Sequence, residues 1–238
     1  MLSKTFEDSL LAGIKDINER EIASFHMPGH KKRIAFFGQE RGRTCSAFEI
    51  DLTEIEGLDD LTYPAGAILN IEKKFAHVYR VSKSFLSLGG ASHGLIAAIL
   101  AVSKPGKSIL IPRNAHRSII NAIVLSGAEV RWYEPEWETE WGFWGVAKAS
   151  TIEDCLKNFD DIEAVVVVSP TFAGAVSDIA SISPVLKEKK VKLIVDEAHG
   201  AHFVPGSTMP QSAALVPIWS CIPCTKLCQA SPRPGLSM

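Results

Sequence analysis

Two short stretches of this 238-residue chain carry residue types and spacings that can do chemistry. In the first, Leu193-Ile194-Val195 is an apolar run without polar alternation, the pattern of a strand buried on both faces at the centre of a parallel sheet. Asp196 follows at its carboxyl end, where open α/β sheets bind ligands. Glu197, small Ala198 and Gly200, and the interleaved His199 and His202 make this segment read as a site, with an acidic loop capping a helix as the plainer alternative. The second stretch is Gly89-Gly90-Ala91-Ser92-His93-Gly94, placed between a short expected strand (Ser84 to Leu88) and an apolar expected helix (Leu95 to Val102). Free backbone N–H groups and the helix dipole would converge on such a turn, so it reads as a phosphate cradle.

The rest of the chain supplies elements that can hold these stretches together. Strands are expected at Ser108 to Pro112, Glu129 to Tyr133 and Val165 to Val168, and helices at Ile119 to Leu125, Ile152 to Phe159 and Ile179 to Leu186. Strands alternating with helices imply βαβ units, so the expected fold class is α/β, a mostly parallel sheet with helices on both faces. The loops Gly89 to Gly94, Asn114 to Ser118, Ser169 to Gly174 and Asp196 to His202 each follow a strand and should gather at one edge of the sheet.

Ahead of this regular part lies a different kind of sequence. Leu2 to Ile22 reads as an amphipathic helix with Leu10, Leu11, Ile14, Ile17 and Ile22 on one stripe. Pro28-Gly29 then breaks the chain inside a loop that carries His26, His30, Lys31 and Lys32, and Asp51 to Asp60 is an acidic, irregular run. Asn70 begins a further helix with Ile71, Phe75, Val78 and Tyr79 on its stripe. Residues 1–69 are therefore taken as a helix and loop-rich entry, 70–214 as the main domain and 215–238 as an aberrant tail.

Composition excludes several functions. A net charge of −2 and no clustered basic face give no electrostatic case for nucleic acid. Met1 to Arg20 has neither a signal-peptide core nor a membrane span, which places the expectation in the cytoplasm. Five cysteines without framework spacing suit reduced thiols. Asp196-Glu197-Ala198-His199 also spells a helicase box, and Gly106-Lys107-Ser108 the end of a P-loop. The latter lacks its first glycine, since residue 101 is alanine, and it leads into a strand instead of a helix, so nucleotide hydrolysis is set aside.

A wider set of motifs resembles one family. Phe25-His26-Met27-Pro28-Gly29-His30-Lys31, Asp51-Leu52-Thr53-Glu54, Gly57-Leu58-Asp59-Asp60-Leu61, Pro112-Arg113-Asn114-Ala115-His116-Arg117-Ser118, Ser169-Pro170-Thr171 and Asp196 to Phe203 occur in order. From about Ser3 to Ala213 the chain thereby resembles the bacterial ornithine/lysine/arginine decarboxylases, pyridoxal-phosphate enzymes with the aspartate-aminotransferase (fold-type I) fold. The resemblance implies that Asp196 pairs with the protonated pyridine nitrogen and that Ala198 lets the ring lie against the strand end. It further implies that His116 stacks on the other ring face, that Ala91, Ser92 and His93 hold the phosphate, and that His199 lies close to the cofactor. Asp196 and His199 are the implied catalytic residues. No metal is implied. The implied substrate is a basic amino acid converted to a polyamine precursor, and the implied assembly is a homodimer or higher homo-oligomer. The acidic run Glu54 to Asp60 is a candidate wall for the substrate's charged end, or simply a solvated loop.

The sequence departs from the family in two places. Gly89 and Ala91 stand where the family's phosphate turn has asparagine and a hydroxyl residue. From Leu215 onward, three cysteines and four prolines crowd a segment that suits neither a buried strand nor a helix. Shifting the codon frame lets Leu215 to Met238 spell G-A-D-L-V-V-H-S-L-H-K-T and onward, the family's own continuation, whose lysine holds the cofactor covalently. The expectation is a change of frame just before Leu215, with Lys226 out of register and the family's small carboxy-terminal domain missing. The alternative to a working decarboxylase is therefore a catalytically dead fragment that at most binds cofactor or another subunit. On the same ground, Cys221, Cys224 and Cys228 are expected to be a product of the frame and not a zinc site.

Overall fold

The computed structural model describes residues 10–20, 23, 25, 26, 28, 50–201, 203 and 219–221. The chain divides into two units, Met1–Ala76 with Lys83–Leu86, and His77–Ser82 with Ser87–Met238.

In the first unit the expected amphipathic helix is α1, Leu10–Glu19. Leu2 and Ile22, the ends of the expected span, lie outside the described residues, as do most residues of the Pro28-Gly29 loop. Ile17 is buried on α1. Gly13 is required by close approach, because a Cβ there would stand 2.9 Å from the carbonyl oxygen of Gly57. Asp59 organises the loop that enters the next helix, α2 (Ala67–Tyr79). Its carboxylate accepts from the backbone N–H groups of Asp60 (3.0 Å), Ala65 (2.9 Å), Gly66 (2.9 Å) and Ile68 (2.7 Å). Burial pushes the Asp59 carboxyl up, but these backbone donors outweigh it and bring it down to about 2. Within the acidic run, Asp59 is thus an internal cap, satisfying N–H groups that helix entry leaves without partners.

Ser84 to Leu88 was expected to be a strand, and it is not one. The reason is local: buried Glu72 accepts from the Leu86 N–H at 2.9 Å, and the Ser84 hydroxyl donates to the Glu72 carbonyl. The segment is held by a helix side chain and backbone instead of by a neighbouring strand.

The second unit is the α/β body. Its elements are α3 (Gly90–Val102), β1 (Ser108–Pro112), α4 (Arg117–Ser126), β2 (Glu129–Tyr133), a hairpin of β3 (Trp137–Glu138) and β4 (Phe143–Trp144), α5 (Ala149–Asn158), β5 (Ile162–Val168), α6 (Ile179–Glu188), β6 (Lys192–Asp196) and β7 (Trp219–Cys221). The main sheet has the order β2-β1-β5-β6-β7 and all its pairs are parallel. Alternation of side chains along each strand feeds two cores. Ile109, Ile111, Ala164, Val166 and Ile194 pack with α3 and α4, whereas Leu110, Val165, Val167, Leu193 and Val195 pack with α5 and α6. Each fully buried aliphatic side chain contributes about 1.5–3 kcal/mol, which is why strands without polar alternation settle at the centre. The same period of two sets Asp196 on the side of Ile194, the α3–α4 side.

Two further expectations need correction. The glycine-rich stretch is not a free turn: Gly90 already opens α3, five residues before the expected start, so Ala91, Ser92 and His93 lie in its first turn. The tail, expected to supply no strand, provides β7, which pairs with β6 in the register Ile194 to Trp219 and Asp196 to Cys221. Pro217 and Pro223 fall outside those three residues, so the donors that proline lacks are not needed within the strand. Cys224, Cys228 and Lys226 lie outside the described residues. Among the described residues, no helix is long and apolar enough to cross a membrane.

Candidate active site

The carboxyl ends of β1, β5 and β6 and the start of α3 border a cleft of about 1050 Å³. All four loops singled out in the sequence reach it, through Gly89 to Ser92, Asn114 to Arg117, Thr171 to Ala173, and Asp196, Ala198 and His199.

Asp196 is the last residue of β6 and only 3% exposed. Its Oδ1 accepts from the Ala198 N–H at 3.0 Å, which folds the chain so that Ala198 also lines the cleft. Asp196 thus brings a buried acceptor carboxylate to the wall of the cleft. Gly200 permits the turn that follows, because a Cβ on it would stand 2.9 Å from Cδ of Pro170.

The start of α3 has Gly89 as its N-cap, with no side-chain cap bond. Ala91 and Ser92 line the cleft beside it. His93 is exposed and does not line the cleft; its ring lies over Gly89, where an added Cβ would fall 1.7 Å from Nδ1. Gly89 thus leaves space that His93 fills, and the backbone of the first turn remains as the anion-binding feature.

His116 caps α4. Its Nδ1 accepts from the Ser118 N–H at 3.2 Å and lies 2.8 Å from Ser118 Oγ, so in the neutral ring Nε2 carries the proton. His116 is exposed, caps the helix and lines the cleft. His199 also lines the cleft, with the Phe172 ring edge-to-face at 5.9 Å and 82°.

Several cleft residues were not assigned from sequence. Asn114 Oδ1 is buried and has no partner among the described residues, an acceptor to which a ligand O–H or N–H can donate. Arg117 brings a cation to the same cleft. Both flank His116 in the motif that had already been singled out. Trp137, Phe143 and Trp144 come from the hairpin, whose cluster of aromatic residues around Gly142 was the available signal. Among the described residues, no group of three or more His, Cys, Asp or Glu side chains is placed to hold a metal ion.

Comparison with known proteins decides the family. The model of the "Orn/Lys/Arg decarboxylase, major domain" matches residues 9–216. The chain belongs to the Orn/Lys/Arg decarboxylase family. It is 36% identical over 210 residues to an arginine decarboxylase of Bacillus subtilis, covering 87% of this chain and 42% of that protein. A Bacillus cereus arginine decarboxylase is 31% identical over 214 residues, covering 87% and 45%. The chain thus spans less than half the length of these curated relatives. A Thermus thermophilus aspartate aminotransferase shares the fold at a TM-score of 0.52 and 20% identity, over 66% of this chain and 42% of that one. The fold is that of the fold-type I, aminotransferase-like enzymes.

The residues present fit the cofactor of that fold. The buried Asp196 carboxylate, the uncapped start of α3 and the partnerless Asn114 Oδ1 offer places for a protonated ring nitrogen, a phosphate and a ring hydroxyl.

Proposed function

We propose that this decarboxylase-family chain carries the cofactor site of a pyridoxal-phosphate-dependent decarboxylase acting on arginine, lysine or ornithine. The product is a polyamine precursor, and the protein works in the cytoplasm as a homodimer or higher homo-oligomer. The observation that carries the reading is the buried Asp196 at the end of β6, in one cleft with the start of α3 and with His116. When bound, the cofactor supplies an electron sink for the carbanion left as carbon dioxide departs. Asp196 would hold a proton on the cofactor's ring nitrogen, and Ala198 would keep that side of the ring free of bulk. The N–H groups of Ala91 and Ser92, left without intrahelical partners at the start of α3, would bind the phosphate, and His116 would cover the ring with its Nδ1 tied to Ser118. His199, next to Phe172, would stand beside the reacting atoms as a proton-carrying group.

Titration with pyridoxal phosphate, followed by absorbance, together with release of labelled carbon dioxide from each basic amino acid, tests the reading. Saturable binding that Asp196→Ala weakens, and an amine product, are the expected results. A keto acid in place of carbon dioxide would point to an aminotransferase, and undiminished binding by Asp196→Ala would overturn the role of Asp196.

A second reading is binding without turnover. It is favoured by the family match ending at residue 216, just where the changed frame is placed. Release of carbon dioxide by the frame-restored chain but not by this one is its expected signature.

A further inference from the structure

We propose that the Trp137–Trp144 pair is the subsite that recognises the positively charged end of the substrate side chain, a role that rests on the basic-amino-acid reading above. The two residues lie directly opposite each other in the β3–β4 hairpin, and therefore on the same face of it. Their rings meet edge-to-face at 4.9 Å and 72°, and both line the cleft. Trp137 is 49% exposed on a ladder of only two residue pairs. An aromatic pair held open in this way fits a surface that a ligand covers.

Position and charge say which ligand group. Among the described residues that line the cleft, Asp196 is the one carboxylate, and it belongs to the cofactor's ring nitrogen in this reading. Arg117, at the start of α4, favours the anionic end of a ligand. The chain that leaves the hairpin is tied down: the Ala147 N–H, just before α5, donates to Ser177 Oγ at 2.9 Å, and the Ser177 N–H donates to Ser169 Oγ at 3.0 Å. A guanidinium or ammonium turned away from Arg117 meets the negative faces of the indoles, which attract cations without a carboxylate. Such a wall reads charge and planarity, and tolerates side chains of different length.

The test is binding of arginine against citrulline, which keeps the shape and both α-groups and loses the charge. The full chain is used with pyridoxal phosphate present, and binding is read by calorimetry and by tryptophan emission. Arginine should bind roughly tenfold more tightly than citrulline. Trp144→Ala should remove most of that difference and Trp144→Phe should restore part of it. Trp141→Ala, on the same hairpin but outside the cleft lining, should leave it unchanged, and matched circular dichroism of the variants controls for folding. Equal binding of arginine and citrulline, or no binding of either, overturns the subsite. A preference for arginine that survives Trp137→Ala together with Trp144→Ala overturns it too. If the preference holds while no basic amino acid loses carbon dioxide, the subsite stands and the decarboxylase reading falls.

Discussion

The backbone N–H of Ser169 donates to the main-chain carbonyl of Asp196 at 3.1 Å, joining the end of β5 to the end of β6 where the cleft is built. The connection continues through Ser169 Oγ to the Ser177 N–H and through Ser177 Oγ to the Ala147 N–H. All four residues are buried. The backbone that follows the aromatic hairpin is thus linked to the end of β6, which carries Asp196, by hydrogen bonds between buried residues.

Ser177→Ala removes the acceptor of a buried N–H and leaves Ala147 without its partner. An unsatisfied buried donor costs about 1–3 kcal/mol. Urea denaturation should show a lower midpoint with unchanged slope, and tryptophan emission of the folded variant should shift as the hairpin loosens. Wild-type stability in this variant would show that the connection carries no weight.

Asp59 predicts a pH dependence. Its folded-state carboxyl lies at about 2, against an ordinary aspartate value near 3.9 in the unfolded chain. A group depressed in this way contributes stability above the unfolded value and loses that contribution as pH falls toward 2. Acid titration of the melting temperature should therefore fall less steeply between about pH 4 and pH 2 for Asp59→Asn than for the wild type. The variant should also melt lower at pH 7, since an amide oxygen cannot accept as strongly from the N–H groups of Ala65, Gly66 and Ile68. Parallel acid profiles would contradict this role.

Most of the α/β body was legible because its strands lack polar alternation and its helices carry apolar stripes; Leu193 to Val195 and Ser108 to Pro112 could hardly be placed elsewhere than in a two-sided core. The gathering of the loops after β1, β5 and β6 followed from strand direction, whereas Gly89 to Ser92 reaches the cleft without a strand before it. What escaped was decided by tertiary partners. Ser84 to Leu88 has strand-like residues, but Glu72 captures its backbone. The Trp137–Trp144 hairpin has only two residue pairs, too short for periodicity to reveal. His93 was assigned to the phosphate by its place in a motif, yet the absence of a side chain at Gly89 lets its ring fold back over the helix start. No pattern in one sequence encodes such a substitution of space.

Gly200→Ala should be disproportionately harmful for so small a change. The added Cβ would meet Pro170 Cδ at 2.9 Å, and neither a proline ring nor the backbone of a tight turn can swing aside as a flexible side chain would. Overpacking of this kind costs about 1–3 kcal/mol. Because the shift falls between the β5 and β6 loops, cofactor affinity should drop along with the melting temperature. A variant with unaltered affinity and stability would show that the close contact is relaxed in solution.

His116 carries two roles that substitutions can separate. As N-cap of α4 it supplies an acceptor to the Ser118 N–H, and as a cleft residue it offers a flat ring. Asparagine can replace the acceptor but not the ring, whereas alanine replaces neither. Loss of an N-cap acceptor costs about 0.5–2 kcal/mol, so His116→Ala should lower the unfolding free energy by that amount while His116→Asn stays close to the wild type. Both should weaken pyridoxal phosphate binding to a similar extent, since both remove the stacking surface. Equilibrium denaturation and cofactor titration on the same three proteins read the two effects independently. If asparagine restored cofactor affinity together with stability, His116 would act only through the helix it caps, and the ring-stacking role would fall.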